Sequence, residues 1–255
     1  MRRAREEIAV FLLAVQFLTR CPVPFPDLFT EARLTAATRY YPLVGVLVGG
    51  AVGGVFWLAH LVFPVTLSVV LATAASLLAT GAFHEDGFAD ACDGLGGGAT
   101  REQALEIMRD SRLGTFGAAG LGLMLAAKVL ALAAAPAGVI PWLLVAAHAA
   151  SRASAVLAAA GGSYVRAAGT AKPVAAGVAP GGLALALATG AAATGGLWLV
   201  TSLPVVVAGL AGLLAGHLVM RGLYERKLGG YTGDCLGAVQ QTSEVGLYLG
   251  AVAIM

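Results

Sequence analysis

The stretch HEDGFADACDG at residues 84–94 places Glu85, Asp86, Asp90 and Asp93 directly after a long apolar run. Read as a helix, it puts Asp86, Asp90 and Asp93 at i, i+4 and i+7, within an arc of about 60°. Like charges on one helical face repel and weaken the helix. No Lys or Arg follows before Arg101, so a divalent cation is the natural compensation. Carboxylate oxygens without paired Cys or His ligands select a hard ion, which makes Asp86, Asp90 and Asp93 candidate ligands for Mg²⁺ or Mn²⁺. The competing reading is a solvated face at a membrane exit. Gly87 and Gly94 remove side chains beside the acids, leaving room for a bulky ligand. His84 and Glu85 point away from the arc. His84 is either a satisfied interfacial histidine or a phosphate-binding or acid–base group.

The next stretch, GATREQALEIMRDSRLGTFG, contains the Thr100 and Gln103 pattern of a helix capping box. Arg101, Arg109 and Arg112 offer guanidinium forks for phosphate oxygens, although Arg109 and Asp110 would also serve as a surface pair. An acidic metal face beside an arginine-bearing helix suits pyrophosphate chemistry, in which cations take up developing charge. Further along, RKLGGYTGDCLGA holds Asp234, readable as a fourth metal ligand, a ribose-hydroxyl acceptor or a helix N-cap. HAASRASA sets His148 and Arg152 at i, i+4 inside an apolar run, and an intramembrane arginine is a functional candidate. Glu244 lies at similar depth in the last apolar segment, so the two are expected to pair or share a polar cavity. Lys172 and Arg166 either meet phosphates or set topology.

The elements that must position these groups belong in a bilayer. The chain has 255 residues, of which 58% are hydrophobic and only 12% charged, with a mean hydropathy of +0.84. Candidate spans cover residues 41–63, 65–83, 114–135, 138–160, 178–200 and 203–220, each near the length needed to cross. A seventh, 236–255, is interrupted by Gln240, Gln241, Thr242, Ser243 and Glu244. The expectation is one all-α domain over residues 1–255, a polytopic bundle of six or seven spans. All sixteen Lys and Arg except Lys128 and Arg152 fall outside the spans and outside the turns near Pro64, Pro136 and Pro204. By the positive-inside rule the N-terminus and the charged loops face the cytoplasm, which gathers every candidate group on one side. Lys128 lies nearer the outer end and is expected to snorkel.

The N-terminal segment begins basic and turns apolar, but its apolar core is short and no small-residue cleavage site follows. Ile8, Phe11, Leu12, Val15 and Leu18 fall on one face of an amphipathic surface helix. Three cysteines, Cys21, Cys92 and Cys235, give no disulfide framework.

Taken in order, FLTRCPVP, YYPLVGVLVG, HEDGFADACDG, REQALEIMRDSRLGTFG, SRASA and GGYTGDCLGA resemble the adenosylcobinamide-GDP ribazoletransferase family, also called cobalamin-5′-phosphate synthase, over nearly the full length. Cys92 and Cys235 stand where Thr or another small residue is expected. The resemblance implies an enzyme of the bacterial inner membrane with a cytoplasmic active site and Mg²⁺ as its metal. The implied reaction joins adenosylcobinamide-GDP to α-ribazole, or its 5′-phosphate, and releases GMP. In that scheme Asp86, Asp90 and Asp93 hold the metal, and one of them or Glu85 takes the hydroxyl proton. His84, Arg101, Arg109, Arg112, Arg152, Lys172 and Asp234 contact substrate. No nucleic acid is expected as a partner; a second copy or other pathway enzymes are. Two rivals are a CDP-alcohol phosphotransferase, whose DG-x2-AR pattern DGFADA does not meet, and a cation-coupled transporter, which wants its acids within spans.

Overall fold

The structure is a computed structural model that describes residues 2–25, 27–166 and 177–255. Among these residues the fold is all-α. Its helices are α1 (Arg2–Leu18), α2 (Glu31–Ala37), α3 (Tyr41–His60), α4 (Val65–Thr80), α5 (Phe83–Gly97), α6 (Arg101–Ile107), α7 (Thr115–Ala134), α8 (Ile140–Ala160), α9 (Pro180–Gly195), α10 (Leu203–Leu228) and α11 (Gly233–Val252). Five helical segments are long and apolar enough to cross a membrane: Glu31–His60, Thr115–Ala134, Ile140–Ala160, Pro180–Leu199 and Leu203–Leu228. Their outward side chains, among them Leu58, Leu123, Leu130, Trp198 and Leu218, are exposed apolar groups suited to lipid. The chain is a multi-pass helical membrane protein.

The expected span at 65–83 is broken. α4 and α5 meet at an angle of 90°. Gly81 (φ 68°) and Ala82 (φ 57°) both take the left-handed conformation, which ends one helix and starts the next. A left-handed Ala carries a Cβ clash that glycine lacks, and it is held by its surroundings. The Arg20 amide donates to the Ala79 carbonyl at 2.8 Å, and the Ala82 amide to Leu77 at 2.9 Å. This corner lets the acidic stretch form its own helix instead of prolonging the apolar one.

α11 is continuous where the sequence suggested interruption. It is the polar helix of the bundle, with Gln240, Gln241, Ser243 and Glu244 all buried. These side chains are satisfied by one another and by Ser151, Ser154, Glu85 and Lys128 of neighbouring helices. Close packing comes from small residues. Gly49 and Gly53 of α3 face α8, where an added Cβ would come within 2.7 Å of the Leu144 carbonyl and 3.2 Å of Pro141 Cβ.

α1 is a helix as expected, but its buried face is Ala9, Val10, Leu13, Ala14 and Leu18, while Ile8 is 53% exposed. The two alanines let α1 sit close on the bundle, rotating the face by about one residue. α1 is tied to the next helix by Arg33, whose Nε and one terminal nitrogen donate to Glu6 at 2.8 Å each. That bond lowers the Glu6 pKa.

Candidate active site

α5 carries the acids as the spacing predicted. Glu85 and Asp86 occupy its first turn, where carboxylates oppose the partial positive charge of the helix start. The four acids nevertheless have different surroundings. Asp86 is exposed and Asp90 half-buried, and among the described residues neither has a hydrogen bond or an ion pair. Asp90 lies within electrostatic range of Asp234, Asp86, Asp93 and Arg166. Asp93 is committed elsewhere. Its Oδ2 accepts the Gly114 amide at 2.7 Å and its Oδ1 the Gly117 amide at 2.8 Å. It caps the start of α7 from a neighbouring helix, a use of a carboxylate that the i, i+7 spacing does not reveal. Among the described residues no group of three His, Cys, Asp or Glu is arranged to hold a metal ion.

Glu85 is also removed from the aspartate face. It is 4% exposed, its Oε1 accepts Gln241 Nε2 at 2.8 Å, and Lys128 Nζ stands 3.7 Å away. Lys128 does not snorkel. It is 4% exposed and lies 3.0 Å from Glu244 Oε1, between the two glutamates. Glu244 also accepts Gln240 Nε2 at 2.8 Å and the Tyr248 hydroxyl at 3.2 Å. The expected Arg152–Glu244 ion pair is therefore replaced by Lys128–Glu244, a helix pairing that sequence distance hides. Arg152 shares the cavity through His148, donating to its carbonyl at 2.8 Å, with His148 Nδ1 at 3.9 Å from Glu244.

Asp234 stands in the first turn of α11, but Thr232 is the N-cap, accepting the Cys235 amide at 3.3 Å. Arg166 lies 2.8 Å from Asp234 and donates to the Met108 carbonyl at 3.2 Å. Arg166 thus joins the α8 end, the α6 end and the α11 start. No local pattern marks that role, because its partners are far away in sequence. Gly87 lines a cavity between the helices and also serves packing. An added Cβ there would lie 3.1 Å from Asp234 Cα, so it brings α5 and α11 backbones together. Gly94 likewise packs on Ala104 of α6, at 2.7 Å from its carbonyl oxygen to an added Cβ.

The arginines of the α6 region divide in the same way. Arg101 Nε donates to the Leu228 carbonyl at 2.7 Å and closes the end of α10. Arg112 Nε bonds Asp110 at 3.0 Å, and the pairing holds the Asp110 carboxyl at about 2. The surface pair is therefore Asp110–Arg112, not Arg109–Asp110. Arg109 is exposed and has no hydrogen bond or ion pair among the described residues. The capping box at Thr100 and Gln103 is formed. Lys172 lies outside the described residues.

Asp86 and Asp234 stand on a cavity of about 200 Å³ walled by α1, α3, α5, α8 and α11, which also includes His84, Arg152 and Tyr41. Phe17, Phe83, Val156 and Leu236 supply its apolar sides. His84 is buried and meets the Phe83 ring edge-on at 5.2 Å. Tyr41 was not legible as a site residue; it stacks on Phe17 at 5.8 Å.

A cavity between helices, lined by Asp86, Asp234 and the buried Arg152 among mostly apolar side chains, defines a polytopic membrane protein with a charged pocket inside its helical bundle. A family model described as cobalamin-5-phosphate synthase matches residues 10–252, and the chain belongs to this enzyme family. It is 45% identical to an adenosylcobinamide-GDP ribazoletransferase of Leptothrix cholodnii over 97% of this chain and 96% of that protein. Proteins of the same name from Vibrio parahaemolyticus and Ralstonia nicotianae are 41% and 43% identical, over 98% and 96% of this chain and 94% and 95% of theirs. No solved structure matches the chain significantly.

Proposed function

We propose that the chain joins adenosylcobinamide-GDP to α-ribazole or its 5′-phosphate in a Mg²⁺-dependent reaction that releases GMP. The observation that carries this reading is the pair Asp86 and Asp90, one turn apart on α5 and without protein partners among the described residues, with Asp234 within electrostatic range of Asp90. Two carboxylates completed by substrate phosphate oxygens form a usual Mg²⁺ donor set, so Asp86 and Asp90 fit the ion. Asp93, held by two amides, positions α7. When bound, Mg²⁺ supplies charge neutralisation on the pyrophosphate and a more electrophilic phosphorus.

The acceptor hydroxyl attacks the phosphorus bonded to the cobinamide side chain; the new P–O bond forms as the bond to GMP breaks. The hydroxyl proton passes to Asp86 or Asp234 on the cavity, or to Asp90 beside them, because Glu85 is enclosed by Gln241 and Lys128. Arg109 is free to meet departing phosphate oxygens. The distribution of Lys and Arg supports a cytoplasmic orientation of this end in the bacterial inner membrane. The test is GMP release by the purified protein with and without Mg²⁺. Metal-dependent release lost in Asp86→Asn and Asp90→Asn, with folding retained, is expected. Release that persists in both folded variants, or that ignores the metal, overturns the assignment.

A further inference from the structure

Arg152 is 2% exposed, in the middle of α8, and its charge has no carboxylate within ion-pairing distance among the described residues. One terminal nitrogen is used by His148, at 2.8 Å from the carbonyl and 3.1 Å from Nδ1. Its Nε is buried and unpartnered. The two glutamates that could neutralise it are both drawn to Lys128. Glu244 and Glu85 act on Arg152 only through space, while their short contacts go to Lys128, so the guanidinium keeps donor capacity that no protein carboxylate takes up. The Tyr41 hydroxyl is a second buried group without a partner, and it lines the same cavity as Arg152. A guanidinium with an unused donor and an unpartnered hydroxyl, on two residues that line one cavity, are the parts of an anion receptor.

The walls narrow the choice of anion. Phe17, Phe83, Val156 and Leu236 offer flat and branched apolar surface, suited to an aromatic base and not to a hydrated metal pyrophosphate. The acids stand at a different part of the same cavity, so one ligand could place an anion inside and a hydroxyl near Asp86 and Asp234. The volume of about 200 Å³ suits a moiety of nucleoside size and excludes a corrin. We infer that Arg152 and Tyr41 form a phosphate subsite that takes the phosphate monoester of the nucleoside acceptor, with its base against the apolar wall and its attacking hydroxyl toward the carboxylates. This deepens the proposed function and rests on it for the identity of the acceptor. A lipid headgroup would offer the same phosphate chemistry, but Asp86 and Asp234 on the same cavity suit a ligand that also presents hydroxyl groups.

The test is calorimetric binding of α-ribazole 5′-phosphate and of α-ribazole, without metal, to full-length protein in an uncharged, phosphate-free detergent. The wild type is expected to bind the phosphorylated nucleoside at least tenfold more tightly, with inorganic phosphate competing. That preference should fall to near unity in Arg152→Gln, persist in part in Arg152→Lys, and drop several-fold in Tyr41→Phe. Equal binding of the two nucleosides by the wild type, or an undiminished preference in Arg152→Gln, overturns the inference. If Arg152→Gln does not fold, an unchanged preference in Tyr41→Phe overturns the two-group subsite and a reduced one supports it. Displacement by phosphatidylglycerol but not by inorganic phosphate assigns the subsite to lipid and likewise overturns it. GMP release is measured alongside: a phosphate preference that depends on Arg152 but comes without GMP release removes the transfer reaction and leaves the subsite standing.

Discussion

Asp93 Oδ1 accepts the backbone N–H of Gly117 at 2.8 Å, across the gap between α5 and α7. Together with the Gly114 amide at 2.7 Å, this bond makes one carboxylate of the acidic stretch a structural clamp. Replacing it by Asn removes the charge and leaves a single oxygen for two donors. A charge-assisted bond to backbone amides contributes about 1.5–3 kcal/mol. Asp93→Asn should therefore lower the midpoint of thermal unfolding measurably, whereas Asp86→Asn should not. Equal stability of the two variants by calorimetry or fluorescence would count against the clamp.

Lys128 sits between two buried glutamates, 3.0 Å from Glu244 and 3.7 Å from Glu85. Removing the cation takes the short ion-pair contacts from both carboxylates and leaves two negative charges against Arg152 alone, in a bundle that cannot hydrate them. Breaking a buried pair by deleting one partner costs about 3–5 kcal/mol. Lys128→Met should fold poorly, and adding Glu244→Gln should restore part of the loss. A double variant as unstable as the single one would show that the pair is not the source.

Gly87 and Asp234 set a third expectation. An added Cβ at Gly87 would stand 3.1 Å from Asp234 Cα, so Gly87→Ala must move α5 or α11 by a few tenths of an ångström. Overpacking of this kind costs about 1–3 kcal/mol. Because the moved backbone carries Asp86 and Asp234, the GMP-release rate should fall more than the stability does. Full activity in Gly87→Ala would mean that the helix spacing is not critical.

The sequence made the apolar helices and the acidic helix legible because periodicity and composition report local burial. It also made Arg152 visible, since a charge inside an apolar run has few bland explanations. It did not show that Asp93 serves Gly117, that Lys128 takes Glu244, or that Gly87 faces Asp234. Each depends on which helices are neighbours, a long-range property that spacing along one helix does not encode. The 90° corner at Gly81 and Ala82 was hidden for a different reason. Alanine gives no signal of a left-handed backbone, so the apolar run read straight through to Phe83.

The aspartate pair gives the last prediction. Asp86 and Asp90 are one turn apart on α5 and lack partners among the described residues, so in metal-free protein their repulsion opposes the helix. A cation that binds only the folded state stabilises it by RT ln(1 + [L]/Kd), about 2.7 kcal/mol at a hundredfold excess over Kd. Mg²⁺ added to chelator-treated protein should therefore raise the unfolding midpoint in a concentration-dependent way. Asp86→Asn removes the repulsion within the pair and half of the donor set together. It should be at least as stable as the wild type without metal, and its midpoint should respond weakly to Mg²⁺. Asp93→Asn should behave in the opposite sense, unstable without metal yet still responsive to it. A wild-type midpoint that does not move with Mg²⁺, or a full response retained in Asp86→Asn, would place any metal away from this face of α5.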